Sequence, residues 1–468
     1  MTMATITEKF LDFMVSTRYE DFPHEVIEAC KRSVLDTLAV LIAGSSRAGC
    51  GEVAGLVREW GGKPEATVLV YGDKVPAHEA VLANATMARA LDFDDFHMNT
   101  GAHASATVIP VALAAAEMRG KVSGRDLITA MAMGLETTCR LRRVPDFCLA
   151  VSGWVGEVHA TFGAAVVAGK ILGLDHEKMR EAMGLAYSQA AGSIQAFYDG
   201  SLATRLQQGF SARSGLLSAI LAKRGLTGTK NFLEGKAGFY PVYYRGIPYD
   251  LNRLTEKMGE QFELLGVAMK PYPTCGFNLG PIENVLDIIQ KNRLREPEIS
   301  EVFLRINQRM YTNVCTPLEN RYRPSTVVDA MFSLPYTVGT AVYRGDVFLE
   351  DFTPQAIGEK DRLRVVDKVK FIVDPAVEEE SVEKNLPLSL HIAEVKTKNG
   401  KAFSQKMLYA RGFPQKPMTL SEDCTRKLKK CIPFAAKSIP QERGEQLVGM
   451  TSALEDLEDV SSLVKILQ

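Results

Sequence analysis

The sequence predicts a mainly α fold, with a large all-helical domain and a smaller α+β domain. Three observations lead there. From the start to about Gly266, apolar residues recur at three- and four-residue spacing. From about Val267 the runs become β-branched or alternate, with helical segments between them. After about Met418 the helical pattern returns. The expected boundaries are therefore 1–266, completed by 418–468, for the helical domain, and 267–417 for the α+β domain.

The helical part opens with "MTMATITEKFLDFMVSTRYEDF", where Phe10, Leu11, Phe13 and Met14 share one broad face. "PHEVIEACKRSVLDTLAVLIAG", "AHEAVLANATMARALD", "TVIPVALAAAEMRG", "GRDLITAMAMGLETTCRL", "TFGAAVVAGKILG" and "KMREAMGLAYSQAAG" continue the pattern. Many of their apolar residues are Ala or Gly, so the helices can approach closely in a tight bundle. In the second part "EVFLRIN", "RVVDKVKFIVD" and "LSLHIAEVKTKNGKAFSQKMLYA" read as strands. Asn399-Gly400 between two runs signals a two-residue hairpin. "GPIENVLDIIQKN" and "DAMFSLPYTVGTAVYRG" read as helices. Thr419 to Glu422, "TLSE", fits a capping box ahead of "DCTRKLKKC", and this tail should pack back on the first domain.

The totals exclude several classes. Lys+Arg is 55 against Asp+Glu 56, so no net field steers the chain to nucleic acid or an anionic membrane. No apolar run approaches the roughly 18 residues of a membrane span. The N-terminus lacks the basic start and long apolar core of a signal peptide. The eight cysteines include no CxxC pair, so a zinc or iron–sulfur site is not indicated and reduced thiols are expected. A cytoplasmic enzyme is the expectation. No GxGxxG follows a strand and there is no P-loop, so nucleotide binding has no support.

Chemistry concentrates in "LDFDDFHMNTGAHAS", Leu91 to Ser105, between two alanine-rich helices. Asp92 and Asp95 lie three apart and would share a side of a helix end, with Asp94 pointing elsewhere. Gly101 breaks the helix. His103 and Ser105 then precede the next helix, with Pro110 in its first turn. A helix N-terminus favours anions, so His103 would stand beside an anion site with an aspartate to hold its ring. The alternative is a solvated loop with capping residues. A divalent metal would need a second acidic cluster, and none of matching kind is present, so no metal is expected.

Two further stretches carry candidates. In "SLATRLQQGFSARSG", Arg205 is suited to carboxylate binding and stands with Gln207 and Gln208 ahead of a helix. In "AMKPYPTCGFNLGPIENVL", Lys270 opens a loop stiffened by Pro271 and Pro273, with Tyr272 and Cys275 nearby. His97 lies in the acidic loop, and His159 stands just before or inside an Ala/Gly-rich helix, where a lone histidine is more often a core residue.

Taken in order, these blocks resemble a known family. "ALDFDDFHMNTGAHASATVIPVALAAAE" is similar to the DFDD…HPS signature of the MmgE/PrpD family. "HATFGAAVVAGKILGL", "GFSARSGLLSAILAKRGLTG" with "FLEGKAGF", "KPYPTCGF" and "VVDAMFSLPYTVGTAVYRGDVFLEDFT" resemble its later blocks in the same order, over nearly the whole chain. The resemblance implies a helical domain with an α+β lid, a homodimer, and a small polycarboxylate substrate handled without metal or organic cofactor. It implies proton transfer at a carbon next to a carboxylate. His103 would give or take the proton, Asp92 would orient it, and Lys270 would neutralise charge on the substrate. Arg205, Gln207, Tyr272, His97, Cys275 and His159 would contact substrate.

The chain departs from the family pattern where Lys-x-Leu-His is often found. Thr204-Arg205-Leu206-Gln207 stands there, with Arg205 as a replacement charge. Fewer basic groups point to a substrate with fewer carboxylates than a tricarboxylate, or to a different reaction. Dehydration, the commonest assignment in the family, is the first expectation, followed by epimerisation of a dicarboxylate or decarboxylation. An inactive polycarboxylate-binding member is the non-enzyme alternative.

Overall fold

The computed structural model describes residues 5–145, 149–386, 388 and 390–468. Its architecture is mainly α, with one four-stranded sheet and two small two-stranded ones. The chain forms two compact units, residues 1–269 with 418–468, and residues 270–417.

The first unit runs α1 (Ile6–Ser16), α2 (His24–Gly44), α3 (Cys50–Trp60), β1 (Ala66–Thr67), β2 (Lys74–Val75) and α4 (Ala77–Arg89). After β3 (Phe96–His97) come α5 (Ser105–Arg119), α6 (Gly124–Arg143), α7 (Val158–Leu172) and α8 (His176–Tyr187). The short α9 (Gln195–Tyr198), the long α10 (Ala203–Lys223), the short α11 (Phe239–Tyr243) and β4 (Val267–Ala268) follow. Phe10, Leu11 and Met14 of α1 are buried, with Phe13 at the margin of the same face.

α10 packs on α4, α7 and α8, and α7 packs in turn on α5 and α6. Small residues at the crossings let the backbones come this close. A Cβ on Gly215 would lie 2.6 Å from the Thr161 carbonyl oxygen, and one on Gly209 2.6 Å from that of Leu82. Either contact would force neighbouring backbone apart in a close-packed interior. α5 is buried all round through Ala116, as expected of a helix without a polar face. Pro110 lies in its second turn, not its first, because the helix begins at Ser105. The proline therefore costs the helix one backbone hydrogen bond.

In the second unit α12 (Gly276–Lys291) precedes β5 (Ile299–Ile306), α13 (Gln308–Val314), α14 (Leu318–Tyr322), α15 (Val327–Met331) and α16 (Leu334–Arg344). Then come α17 (Pro354–Ile357), α18 (Lys360–Val366), β6 (Val369–Val373), α19 (Pro375–Glu383), β7 (His391–Thr397) and β8 (Ala402–Met407). The strand order is β6-β5-β7-β8, with β5 and β6 parallel and the other pairs antiparallel. Alternate residues of β7 are buried, and α12 covers this strand. Ser389, in the segment leading into β7, lies outside the described residues.

The β7–β8 turn has three residues rather than the expected two, because Thr397 N–H bonds the Lys401 carbonyl. Gly400 has φ +84° and Asn399 is not left-handed. A two-residue type I′ turn needs positive φ at both positions.

The chain then returns to the first unit as α20 (Thr425–Cys431), α21 (Gln441–Ser452) and α22 (Ser461–Ile466), with α20 and α21 against α2. Thr419 caps this segment, but its reciprocal acid is Asp423 rather than Glu422. The turn Leu420–Cys424 is a π-turn, so the capping partner slips by one residue. Seven cysteines are free thiols, and Cys148 lies outside the described residues. Among the described residues no helix is long and apolar enough to cross a membrane.

Candidate functional site

α4 ends at Arg89, and the chain from Ala90 to Ala104 is irregular except for β3. Asp92 adopts φ +48°, which turns the backbone sharply. β3 pairs antiparallel with β4, Phe96 opposite Ala268 and His97 opposite Val267. A short loop closes as His97 N–H bonds the Ala102 carbonyl at 2.8 Å and Gly101 N–H bonds the His97 carbonyl at 2.7 Å. His103 follows directly, two residues before α5.

His103 Nδ1 lies 2.9 Å from Asp94 Oδ2 and 2.9 Å from the Asp95 carbonyl oxygen. Both partners are acceptors, which assigns the proton to Nδ1. Among the described residues no hydrogen bond engages Nε2, and the side chain is 19% exposed. The ring is thus held at one nitrogen and available at the other. The carboxylate at the ring is Asp94, where the family resemblance implied Asp92. The helix has already ended at Arg89, so Asp92 and Asp95 do not share a helical face either.

Arg89 ties the acids together. Its Nη1 lies 2.8 Å from Asp92 Oδ1 and 3.2 Å from Asp94 Oδ1, and its Nε 3.8 Å from Glu157 Oε1. Burial opposes the guanidinium's charge, but Asp94, Asp92 and Glu157 more than offset it and raise its pKa. Asp92 and Asp94 thus have a buried cation between them. Among the described residues no three His, Cys, Asp or Glu side chains converge as metal ligands.

Asp95 faces the core. Ser105 Oγ donates to its Oδ2, and Oδ1 has no hydrogen-bond partner. Burial, with help from Asp36 and Asp94, raises its pKa to about 8 against the pull of Ser105 and Lys427. Lys427 of α20 reaches the same loop from the C-terminal segment. Its ammonium pairs with Asp36 at 2.7 Å, donates to the Phe93 carbonyl at 3.0 Å and sits 3.9 Å above the Phe93 ring. Gln208 of α10 braces the other end of the loop, donating to the His103 carbonyl at 2.9 Å and to Thr107 Oγ1.

Two of the expected substrate contacts, His159 and His97, lie buried with both ring nitrogens close to polar neighbours. His159 is the second residue of α7 and has no exposed surface. Its Nδ1 lies 3.0 Å from the Gly156 carbonyl, its Nε2 2.9 Å from Tyr244 Oη, and Phe239 packs edge-on at 5.1 Å. Burial, then Arg142, lowers its pKa to about 3. Both nitrogens are spent, so His159 is a core histidine. His97 is buried too, with Nδ1 accepting from Thr100 N–H at 3.3 Å and Nε2 3.6 Å from Glu263. Burial lowers its pKa to about 4, with Arg142 and Arg143 adding to the effect. A Cβ on Gly266 would lie 2.5 Å from this ring, so His97 packs the β3–β4 join.

Arg205, in the first turn of α10, donates to the Ala48 carbonyl at 2.8 Å. Gln207 donates to the Ser193 carbonyl at 2.8 Å, and its Oε1 is buried without a partner. In the second unit Lys270 is the first residue and is buried. Tyr272 packs partly buried against the Ile282 and Tyr336 core. Cys275 is the N-cap residue of α12, its N–H bonded to the Met331 carbonyl at 3.1 Å.

Sequence reasoning missed Arg89, Glu157, Lys427 and the bracing role of Gln208. Arg89 had a signal, an arginine three residues before Asp92. Lys427 had none, because it lies far along the chain from the loop it holds.

Comparison with known proteins adds two findings. The MmgE/PrpD N-terminal domain model matches residues 8–252 and the C-terminal domain model residues 272–452. The chain is 25% identical to a cis-aconitate decarboxylase of Aspergillus terreus, covering 99% of this chain and 96% of that protein. It is 26% and 27% identical to the cis-aconitate decarboxylases of Mus musculus and Homo sapiens, covering all of this chain and 94% and 95% of theirs.

Proposed function

Because the chain belongs to the MmgE/PrpD family, we propose that it is a lyase that acts on a small polycarboxylate, with His103 as its proton donor. The observation that carries this reading is the state of His103: Nδ1 anchored by Asp94, Nε2 unengaged, and the ring partly exposed. Asp94 would stabilise the imidazolium as well as orient it.

Decarboxylation is the reaction that one such donor serves best, and it is the activity named for the relatives. The C–C bond to the leaving carboxylate breaks, and CO₂ departs. The electron pair remains on carbon, delocalised toward the rest of the conjugated acid. His103 Nε2–H then delivers its proton to that carbon. Dehydration, the first expectation from the sequence, needs a base and also an acid for the departing hydroxyl. For Lys270 we propose neutralisation of a substrate carboxylate and of the enolate-like charge. Tyr272 and Cys275, from the same loop, are proposed to contact substrate.

Proton NMR in D₂O with citrate, 2-methylcitrate, cis-aconitate and iminodisuccinate tests this reading. CO₂ loss with deuterium delivered to the product, absent in His103→Ala, is the expected result. An alkene formed without CO₂ loss would make the protein a dehydratase. Label entering an unchanged skeleton would make it an epimerase. No label and no turnover across the panel would remove all three.

We also propose a homodimer in the cytoplasm. Phe197, Tyr198, Leu202 and Phe210 are all exposed on or near α9 and α10, the kind of apolar surface that a partner copy covers. Light scattering of the purified protein would give the mass.

A further inference from the structure

Two arginines of the first unit lack what Arg89 has. Arg47 lies in the bend between α2 and α3, and Arg205 opens α10. They meet because α10 starts against that bend. Arg205 Nη1 donates to the Ala48 carbonyl at 2.8 Å, and a Cβ on Gly49 would touch Leu202 Cδ1 at 3.5 Å. The Arg47 guanidinium stands 5.8 Å from the Phe434 ring centroid.

No carboxylate pairs with either guanidinium among the described residues. Glu52, the acid nearest Arg47 in sequence, turns its carboxylate to Gly49 N–H at 2.9 Å. The Cys50 thiol lies beside Arg205, but burial raises its pKa to about 11, so it brings no counter-charge. Arg47 Nε is buried without a hydrogen-bond partner. Burial and then the charge of Arg205 lower the pKa of Arg47, and burial lowers that of Arg205, which also feels Arg89. Both side chains are half-buried, and like charges partly withdrawn from water without an anion are mildly unfavourable. Such an arrangement is stabilised when a ligand supplies the negative charge, and the fork of a guanidinium matches the two oxygens of a carboxylate.

We propose that Arg47 and Arg205 form a binding site for an oxyanion, taking one carboxylate of a small polycarboxylate. Arg89 is already committed to Asp92, Asp94 and Glu157, whereas this pair offers positive charge that no carboxylate pairs with among the described residues. The identity of the anion rests on the lyase reading; the existence of an anion site does not. It assigns the charge lost at Thr204 and Gln207 to two arginines, one of them from a distant bend.

The test is calorimetric titration of the full chain at low ionic strength with tricarballylate, succinate and inorganic phosphate. It is repeated on Arg47→Gln, Arg205→Gln, Arg205→Lys and His103→Ala. Tricarballylate should bind the wild type and weaken about tenfold or more in each Gln variant, with Arg205→Lys in between. His103→Ala should still bind. Unchanged affinity in both Gln variants overturns the proposal, and binding of phosphate alone overturns the carboxylate assignment. Thermal melts without ligand give a second reading: removing one of two like charges should leave the melting temperature equal or higher. A lower value in both Gln variants, with affinity retained, would make the pair structural and overturn the site. Absence of turnover together with arginine-dependent binding would sink the lyase reading and leave this site standing.

Discussion

His103 and His159 stand at the starts of two neighbouring helices in the same unit, in opposite surroundings. His103 precedes α5 in an acidic loop, with a carboxylate on one nitrogen and none on the other. His159 lies inside the first turn of α7, with a carbonyl on one nitrogen, a tyrosine on the other and no exposed surface. The residue type is the same and so is the alanine-rich context. What differs is one unengaged nitrogen and one charged partner, and these make a histidine able to move protons.

The largest effect should come from removing that nitrogen. His103→Ala should lower turnover by about a thousandfold with an unchanged circular dichroism spectrum, as expected for loss of a proton donor. A variant retaining more than a tenth of the rate would end the assignment. Asp94→Asn should come next, with kcat lowered about a hundredfold and KM little changed, because the ring is no longer held or its charge balanced. Asp92→Asn should fall well short of that loss, and the reverse order would restore Asp92 to the orienting role.

His159→Phe should act on stability instead. A loss of about 2 kcal/mol is expected from removing the bond to Tyr244 Oη and disturbing a close-packed core, with kcat per folded molecule retained. The folded pKa of His159 lies below its unfolded value, so the unfolded chain binds more protons between about 6.5 and about 3. Stability should therefore fall as pH drops through that window, and the Phe variant should flatten the fall in denaturant titrations.

The smallest effect concerns Asp95. Its folded pKa is raised to about 8, so the folded chain binds more protons than the unfolded between about pH 4 and pH 8. This group makes stability fall as pH rises through that range. Asp95→Asn should remove its part of the slope and leave neutral-pH stability equal or higher. An unchanged slope would show that Asp95 is ionised in the folded protein.

Much of the fold was legible because its helices carry their periodicity in local sequence. The N-terminal face of Phe10, Leu11 and Met14 and the alternation of β7 both needed only neighbouring residues. The resemblance implies Asp92 at the ring, whereas Asp94 stands there, because a motif position does not fix which side chain of an irregular loop turns inward. The capping-box and hairpin differences share a cause: a local rule applied one residue past the point where the backbone changed. Glu422 was preferred to Asp423 because a π-turn was read as an α-turn, and the Asn399-Gly400 hairpin was read one residue short.

The sequence by itself determined that His103 sits in an acidic loop ahead of a buried helix, because the loop, its acids and the helix are consecutive. It also determined the alternating texture of the sheet, since strand faces are set by a two-residue period. Only the tertiary structure decided which aspartate holds the ring, that Arg89 joins three carboxylates, that Lys427 braces Phe93 from the far end of the chain, and that His159 is walled in. The first depends on how one irregular loop turns, and the contacts of Glu157, Lys427 and Tyr244 depend on distances between segments remote in sequence. Such distances are fixed by helix crossings and close packing, for which no local pattern carries a signal.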